Sequence, residues 1–337
     1  GDFDFARASV ATRVNEQGLL EEVASGLPRI DYTDGSGSWL LEPTATNLVT
    51  YSEDFSDASW NTASTRSMTI SPSTVLDLRG GTDAFRITST ASDNQLASFK
   101  TITSGLNYTN SIYVRRVSGI GTVTLRDVNG ISNAVPLSES DGWKRIETSV
   151  LSNSTSGRFY LNLSTVGDVI DVWGAQLEQN SYATSYIKNE GTALGVTRVA
   201  DTASGSGNST VINSSEGVLY FEGSFKENAI NQQLTLSNGT TAERIVLEVR
   251  NSGQLLRFNV RSSDVNSVEI DQAITANTPY KLALLWSGSV AKFYLNGSLV
   301  NSDSSVTIPI GLNSLSFDSG TSSVNFYSKT KSVQVYT

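Results

Sequence analysis

Apolar and polar residues alternate along most of this chain in short runs, with a period of two rather than the 3.6 of a buried helix face. The runs 84–88, 96–101, 110–116, 122–127, 144–150, 158–163 and 169–177 each read as a strand. Turn-forming clusters separate them, among them Arg79-Gly80-Gly81, Ser118-Gly119, Asn129-Gly130, Ser140-Asp141-Gly142 and Thr155-Ser156-Gly157. Many short strands at regular spacing predict a sandwich or jelly roll. A second set of alternating runs starts at Gly217 and continues to the last residues, VQVYT. Within it, Asn251-Ser252-Gly253 and Ser287-Gly288 read as turns, and Asn296-Gly297 is the strongest hairpin signal. A type I′ turn needs positive φ at both central residues, which Asn and Gly tolerate best.

Ahead of both sets, ATRVNEQGLLEEV (11–23) reads as two strands around Glu16-Gln17-Gly18, with a short helix over 18–24 as the alternative. The predicted fold class is therefore all-β: two β-sandwich (jelly-roll) domains in tandem with a short N-terminal β segment. The expected boundaries are an N-terminal hairpin and linker segment over 1–46, a jelly roll over 47–190, a linker over 191–216 and a second sandwich over 217–337. The linker is rich in Gly, Ser, Thr and Asn, with 203–210 its most flexible part and 196–200 open to a further strand.

Alternation also sorts the faces of the first sandwich. Phe85, Ile87, Ile112, Val114, Val123, Leu125, Ile146, Val150, Phe159, Leu161 and Leu163 are expected in the core. Their alternates include Arg86, Tyr113, Arg115, Arg126, Arg145, Arg158 and Tyr160. Arg offers a planar two-pronged donor and Tyr a flat ring with a polar tip, which suits sugar hydroxyls and the carboxylates or sulfates of anionic glycans. Tyr113, Arg115, Arg145, Arg158 and Tyr160, with Trp143 beside its turn, are the expected carbohydrate-binding residues. The plainer reading is a set of solvated sheet positions. Trp60, Trp173 and Trp286 are expected to pack, while Trp39, in a loop-like stretch, is undetermined. In the last run, strict alternation puts Asp171, Trp173, Ala175 and Leu177 on one face and leaves Gln176 and Glu178 exposed opposite.

Composition narrows the chemistry. The chain has no Cys and no His, which removes disulfides, thiolate zinc sites, His-ligated metals and the Ser-His-Asp and Cys-His catalytic systems. Its net charge of -9 opposes nucleic-acid binding, where cationic side chains must neutralise phosphates. No apolar run is long enough for a membrane span, so no membrane insertion is expected. The opening GDFDFARASV lacks the features of a signal peptide and reads as the start of a fragment with an upstream part missing. Calcium is the metal that an oxygen-only donor set would take. The expected ligands are Asp54, in YSEDFSDASW, and Asp171. A pair of carboxylates could in principle hydrolyse a glycoside, but no pair stands out, and the reading is a non-enzyme.

Several stretches, taken as a set and in order, resemble the structural proteins of tailed bacteriophages. They are FARASVATRVNEQGLLEEV (5–23), PRIDYTDG (28–35), LLEPTATNLVTYSEDFSDASW (40–60), SIYVRR (111–116), GWKRI (142–146) and VWGAQLEQNSYATSYI (172–187). The middle part is similar to carbohydrate-binding jelly-roll modules. GVLYFEGSF (217–225) and YKLALLWSGSVAKFYLNGSLV (280–300) resemble concanavalin A-like or laminin G-like sandwiches. The resemblance implies a non-catalytic protein at the virion surface, a head or tail fibre or decoration protein. It would adhere to polysaccharide or surface glycans and contact other virion proteins, with a homotrimer as the usual state of such appendages. The alternative it leaves open is a carbohydrate-targeting region of a secreted polysaccharide lyase or hydrolase.

Overall fold

A computed structural model describes residues 3–60, 67–92, 94–226, 231–250 and 254–337. The fold is all-β, and the only helical turns among the described residues are two short 3-10 segments, Ala58–Trp60 and Glu139–Asp141. The chain forms two compact units. One gathers Gly1–Val10, Val23–Pro43 and Val199–Thr337; the other gathers Ala11–Glu22 and Thr44–Arg198. The first 46 residues are thus shared between the two.

In the unit built on 44–198, a five-stranded sheet faces a four-stranded one. The first runs Lys144–Leu151, Asn107–Ser118, Val169–Glu178, Phe85–Ser89, Met68–Pro72, and the second Ser132–Val135, Val123–Arg126, Ser156–Leu163, Leu96–Thr101. Ile87, Ile112, Val114, Val123, Leu125, Phe159, Leu161 and Leu163 fill the space between them, all essentially inaccessible. Period-two alternation therefore predicted this core well. Trp60 joins it, edge-on to Phe159 at 5.4 Å.

Alternation fails in the strand Val169–Glu178. Asp171 pairs with Arg115 and Trp173 with Tyr113, which places both on the outer face. Gly174, at φ 65, then inserts a bulge where the register shifts, and Ala175 and Leu177 return to the core. Gln176 and Glu178 are not exposed as alternation suggested but fully buried. The reason is a second layer on the outer face. Residues 181–187 fold back over it, Thr184 donating from its backbone N–H (2.5 Å) and hydroxyl (2.8 Å) to Glu178. Gln176 accepts from the Ile187 N–H at 2.8 Å. The hairpin Ala11–Val14/Leu20–Val23 adds to this cover, with Gly18 at φ 79 in its turn. Its Leu20 packs with Ala84, Trp173 and Tyr186. The hairpin reading of this stretch holds, and the helical alternative does not form.

The other unit is also a sandwich. Its seven-stranded sheet runs Ser298–Asp303, Val290–Leu295, Pro279–Ser287, Glu216–Phe225, Ser328–Tyr336, Ser38–Leu40, Arg29–Asp31. Facing it is a five-stranded sheet, Val265–Ala273, Leu255–Ser262, Arg244–Arg250, Gln232–Ser237, Ser314–Ser316. Trp286 is buried in the core between them, and Trp39 packs partly buried against it, 5.2 Å from Phe317. Asn296 and Gly297 have φ 50 and 84, the positive pair expected of their turn. The predicted turn at Asn251-Ser252-Gly253 lies outside the described residues.

The expected linker is largely ordered into the two units. Val196–Arg198 pairs with Ala45–Asn47, Thr202–Ser204 pairs with Asp4–Ala6, and Ser206 bridges to Leu315. A buried ionic group fixes the N-terminal pieces in the C-terminal unit. Arg29 contacts Glu42 at 2.9 Å and Asp201 at 2.5 Å, and Arg7 contacts Asp201 at 2.9 Å. The Arg7, Arg29 and Asp201 side chains have no exposed surface.

Candidate functional site

The six residues expected to bind sugar fall on two surfaces. Tyr113, Arg115, Arg145 and Trp143 belong to the outer side of the five-stranded sheet, while Arg158 and Tyr160 lie on the outer side of the four-stranded one. On the first surface most of the polar capacity is already committed. Arg145 lies 5.3 Å from the Tyr113 ring and donates to the Thr184 carbonyl (2.7 Å) and the Ser111 hydroxyl (3.0 Å). Tyr113 leans on Trp173 at 5.7 Å, and the Trp143 indole N–H donates to the Leu76 carbonyl at 3.0 Å. Arg115 is turned toward Asp171.

Asp171 is itself fully buried and takes four donors from three residues: Ser73 Oγ at 2.9 Å, Arg86 Nε at 3.0 Å and Nη2 at 3.2 Å, and Arg115 Nη1 at 3.4 Å. Two guanidinium groups supply the counter-charge that a calcium ion would otherwise bring. Asp54 sits in a loop, where its Oδ1 accepts from the N–H and hydroxyl of Ser56. Among the described residues no group of three acids is placed to hold a metal.

The second surface is arranged differently. Arg126 is the cross-strand partner of Tyr160, and Phe99 is that of Arg158. The Arg126 and Arg158 Cζ atoms stand 6.0 and 5.8 Å from the Tyr160 ring centre, and Phe99 meets the same ring edge-on at 5.5 Å and 90°. Tyr160 is 7% exposed and Phe99 37%. Phe99 is not among the residues that the sequence pattern singles out, because Leu96, Ala97 and Phe99 are all apolar and do not alternate cleanly with polar positions. Only the register shows that Leu96 points to the core and Phe99 away from it.

The same unit holds a cleft of about 510 Å³, lined chiefly by Tyr51, Glu53, Asp83, Phe85, Lys188 and Glu190, with Asp54 also at its wall. Three separated stretches assemble it, and an isolated bridge between Tyr51 and Glu190 ties two of them together. Lys188 Nζ lies 2.9 Å from Glu53 and 2.6 Å from Glu190. Tyr186 donates its hydroxyl to Glu53 at 2.9 Å. Burial raises the Glu53 carboxyl above its ordinary value, and the hydrogen bonds from Lys188 and Tyr186 offset this only in part. Burial, reinforced by the neighbouring Glu53, also pushes the Tyr186 hydroxyl well up. For Lys188, burial acts downward, but the bonds to Glu190 and Glu53 outweigh it and the net direction is up. The cleft thus presents acceptor carboxylates, one ammonium and a partly buried Tyr ring within a volume typical of small-ligand sites. Tyr51 opens the YSEDFSDASW stretch, but neither Lys188 nor Glu190 carries a sequence motif, and folding alone brings the three together.

The C-terminal unit has a larger depression, about 710 Å³, whose lining of Phe3, Gly205–Asn208 and Val333–Tyr336 includes no Asp, Glu, Lys or Arg side chain.

No protein-family model matches this chain, and no curated protein matches it. Among solved structures it is similar to the CBM22-1–CBM22-2 tandem of Paenibacillus barcinonensis Xyn10C, at 12% identity over 83% of this chain and 96% of that one, with a TM-score of 0.26. It is similar to mouse laminin α1 domains LG4-5 at 12% identity over 92% of both chains, TM-score 0.27. Sheep galectin-11, in complex with glycerol, matches at 11% identity over 37% of this chain and 92% of that one, TM-score 0.27. Likenesses at these scores carry no functional weight.

Proposed function

We propose that this chain is a non-catalytic, glycan-binding protein of a bacteriophage virion surface. The observation that carries the binding reading is the cleft of Tyr51, Glu53, Asp83, Lys188 and Glu190. Adjacent sugar hydroxyls are paired donors and acceptors, which carboxylates and an ammonium satisfy together in a concave site. Tyr51 adds ring surface and a hydroxyl. The fixed engagement of Glu53 by Lys188 and Tyr186 suits binding rather than proton transfer. The virion assignment rests on the phage-like sequence stretches between residues 5 and 187. Several copies on one particle would raise avidity by roughly 10²–10⁴ without stronger individual contacts.

Screening the purified chain on an array of bacterial surface polysaccharides, followed by calorimetry with Tyr51→Ala and Glu190→Gln, tests the binding reading. Weaker binding with an unchanged melting temperature is expected. Absence of binding to every glycan overturns it. Detection of the chain in purified virions tests the particle assignment. Its absence there, with a polysaccharide-degrading domain in the same gene product, overturns that part.

A further inference from the structure

Most arginines of this protein are matched to carboxylates. Arg7 meets Asp201, Arg29 meets Glu42, Arg86 and Arg115 meet Asp171, Arg116 meets Asp168, and Arg257 meets Glu269 and Asp271. Arg126 and Arg158 depart from this rule further than Arg145 and Arg244, which donate to carbonyl, hydroxyl or amide oxygens instead. Among the described residues neither guanidinium has a carboxylate or a hydrogen-bond acceptor. Each lies instead over the ring of Tyr160, and Arg126 Nε is buried without a partner. Two like charges gathered on one ring repel each other, and cation–π attraction offsets this only modestly. In a chain of net charge -9, acids were available to neutralise them and none is placed there.

The backbone that carries the pair is also held in position. Asn110, reaching across from the facing sheet, donates at 2.8 Å to the backbone carbonyls of both Arg126 and Arg158. The cross-strand registers Arg126–Tyr160 and Arg158–Phe99 put the two arginines and the half-exposed Phe99 ring on one outer face. A planar guanidinium fork matches the two oxygens of a carboxylate. A flat phenyl ring beside it offers apolar surface for the C–H face of a sugar.

We infer that Phe99, Arg126, Arg158 and Tyr160 form a second glycan site, specific for polysaccharides whose units carry carboxylates. The arginines take the uronate carboxylate, Tyr160 holds them apart from beneath, and Phe99 supports the sugar ring. This site is separate from the acid-lined cleft and does not depend on it.

Polygalacturonate, its carboxyl-reduced counterpart and dextran sulfate are the probes, in calorimetry on the full chain at two salt concentrations. Wild type is expected to bind polygalacturonate, more weakly at higher salt, and not the reduced polymer. Arg126→Gln/Arg158→Gln should weaken polygalacturonate binding by about tenfold or more, since each charge-assisted bond is worth more than a neutral one. Arg126→Lys/Arg158→Lys, which keeps the charge and loses the fork, should recover only part of it. Lys292→Gln, in the C-terminal unit, should leave it unchanged, and melting temperatures identify any variant that fails to fold. The inference is overturned if wild type does not bind polygalacturonate, if the glutamine pair binds it normally while folded, or if dextran sulfate binds as tightly. Loss of polygalacturonate binding in Tyr51→Ala alone would overturn this site while leaving the cleft reading intact.

Discussion

Trp173 and Ala175 stand two residues apart in one strand yet face opposite sides of their sheet, because Gly174 between them adopts φ 65. The bulge sends the indole outward to meet Tyr113 and Tyr186, at 5.7 and 4.7 Å, and returns Ala175 to the core. A Cβ on Gly174 would come within 3.2 Å of Tyr113 Cδ2 and 3.3 Å of Tyr186 Cε2, at a φ that side chains rarely adopt. Gly174→Ala should therefore destabilise this unit by about 1–3 kcal/mol, seen as a lower melting temperature with loss of near-ultraviolet tryptophan signal. An unchanged melting temperature would show that the bulge relaxes freely.

The ionic group of Arg7, Arg29, Glu42 and Asp201 gives a second prediction. Removing one partner from a buried pair strands the opposite charge and costs about 3–5 kcal/mol. Asp201→Asn should lower the urea midpoint of the C-terminal unit accordingly, since both arginines rely on that carboxylate. A loss below about 1 kcal/mol, the range of exposed pairs, would contradict the burial described.

Acid stability should depend on Glu243. Burial alone would raise its carboxyl, but the N–H groups of Ile310 and Ser263 and the hydroxyl of Ser262 favour the ionised form and bring the net value below the ordinary one. A depressed folded value adds stability above the unfolded value of about 4.3 and loses it as pH falls through the folded value. Glu243→Gln should thus be less stable than wild type at pH 7, with the gap closing below pH 4. Chemical denaturation at several pH values measures it, and a gap independent of pH would refute the assignment.

For Asp171, replacement by Asn should leave Arg86 and Arg115 without their counter-charge and lower the melting temperature. The same experiment repeated with a calcium chelator separates two roles. If the arginines are the partners, the chelator has no effect on either form. A chelator-induced loss confined to wild type would instead put a metal on this carboxylate.

The spacing of alternating runs was enough to determine an all-β chain, the core residues Ile112, Val114, Phe159 and Leu161, and the turn at Asn296-Gly297. These follow from local backbone preferences and from which residues shed water, both written in neighbouring positions. Four things were decided only by the folded chain. One bulge reversed the face of Asp171 and Trp173. Residues 181–187 covered Gln176 and Glu178. The first 46 residues were divided between two units, and the proposed sugar-binding residues were split between two sheets. Each depends on contacts between residues far apart in sequence, such as Asp201 with Arg7 or Lys188 with Glu53. For the same reason the sequence could show that Arg126 and Arg158 point outward, whereas only the tertiary structure shows that no acid among the described residues meets them.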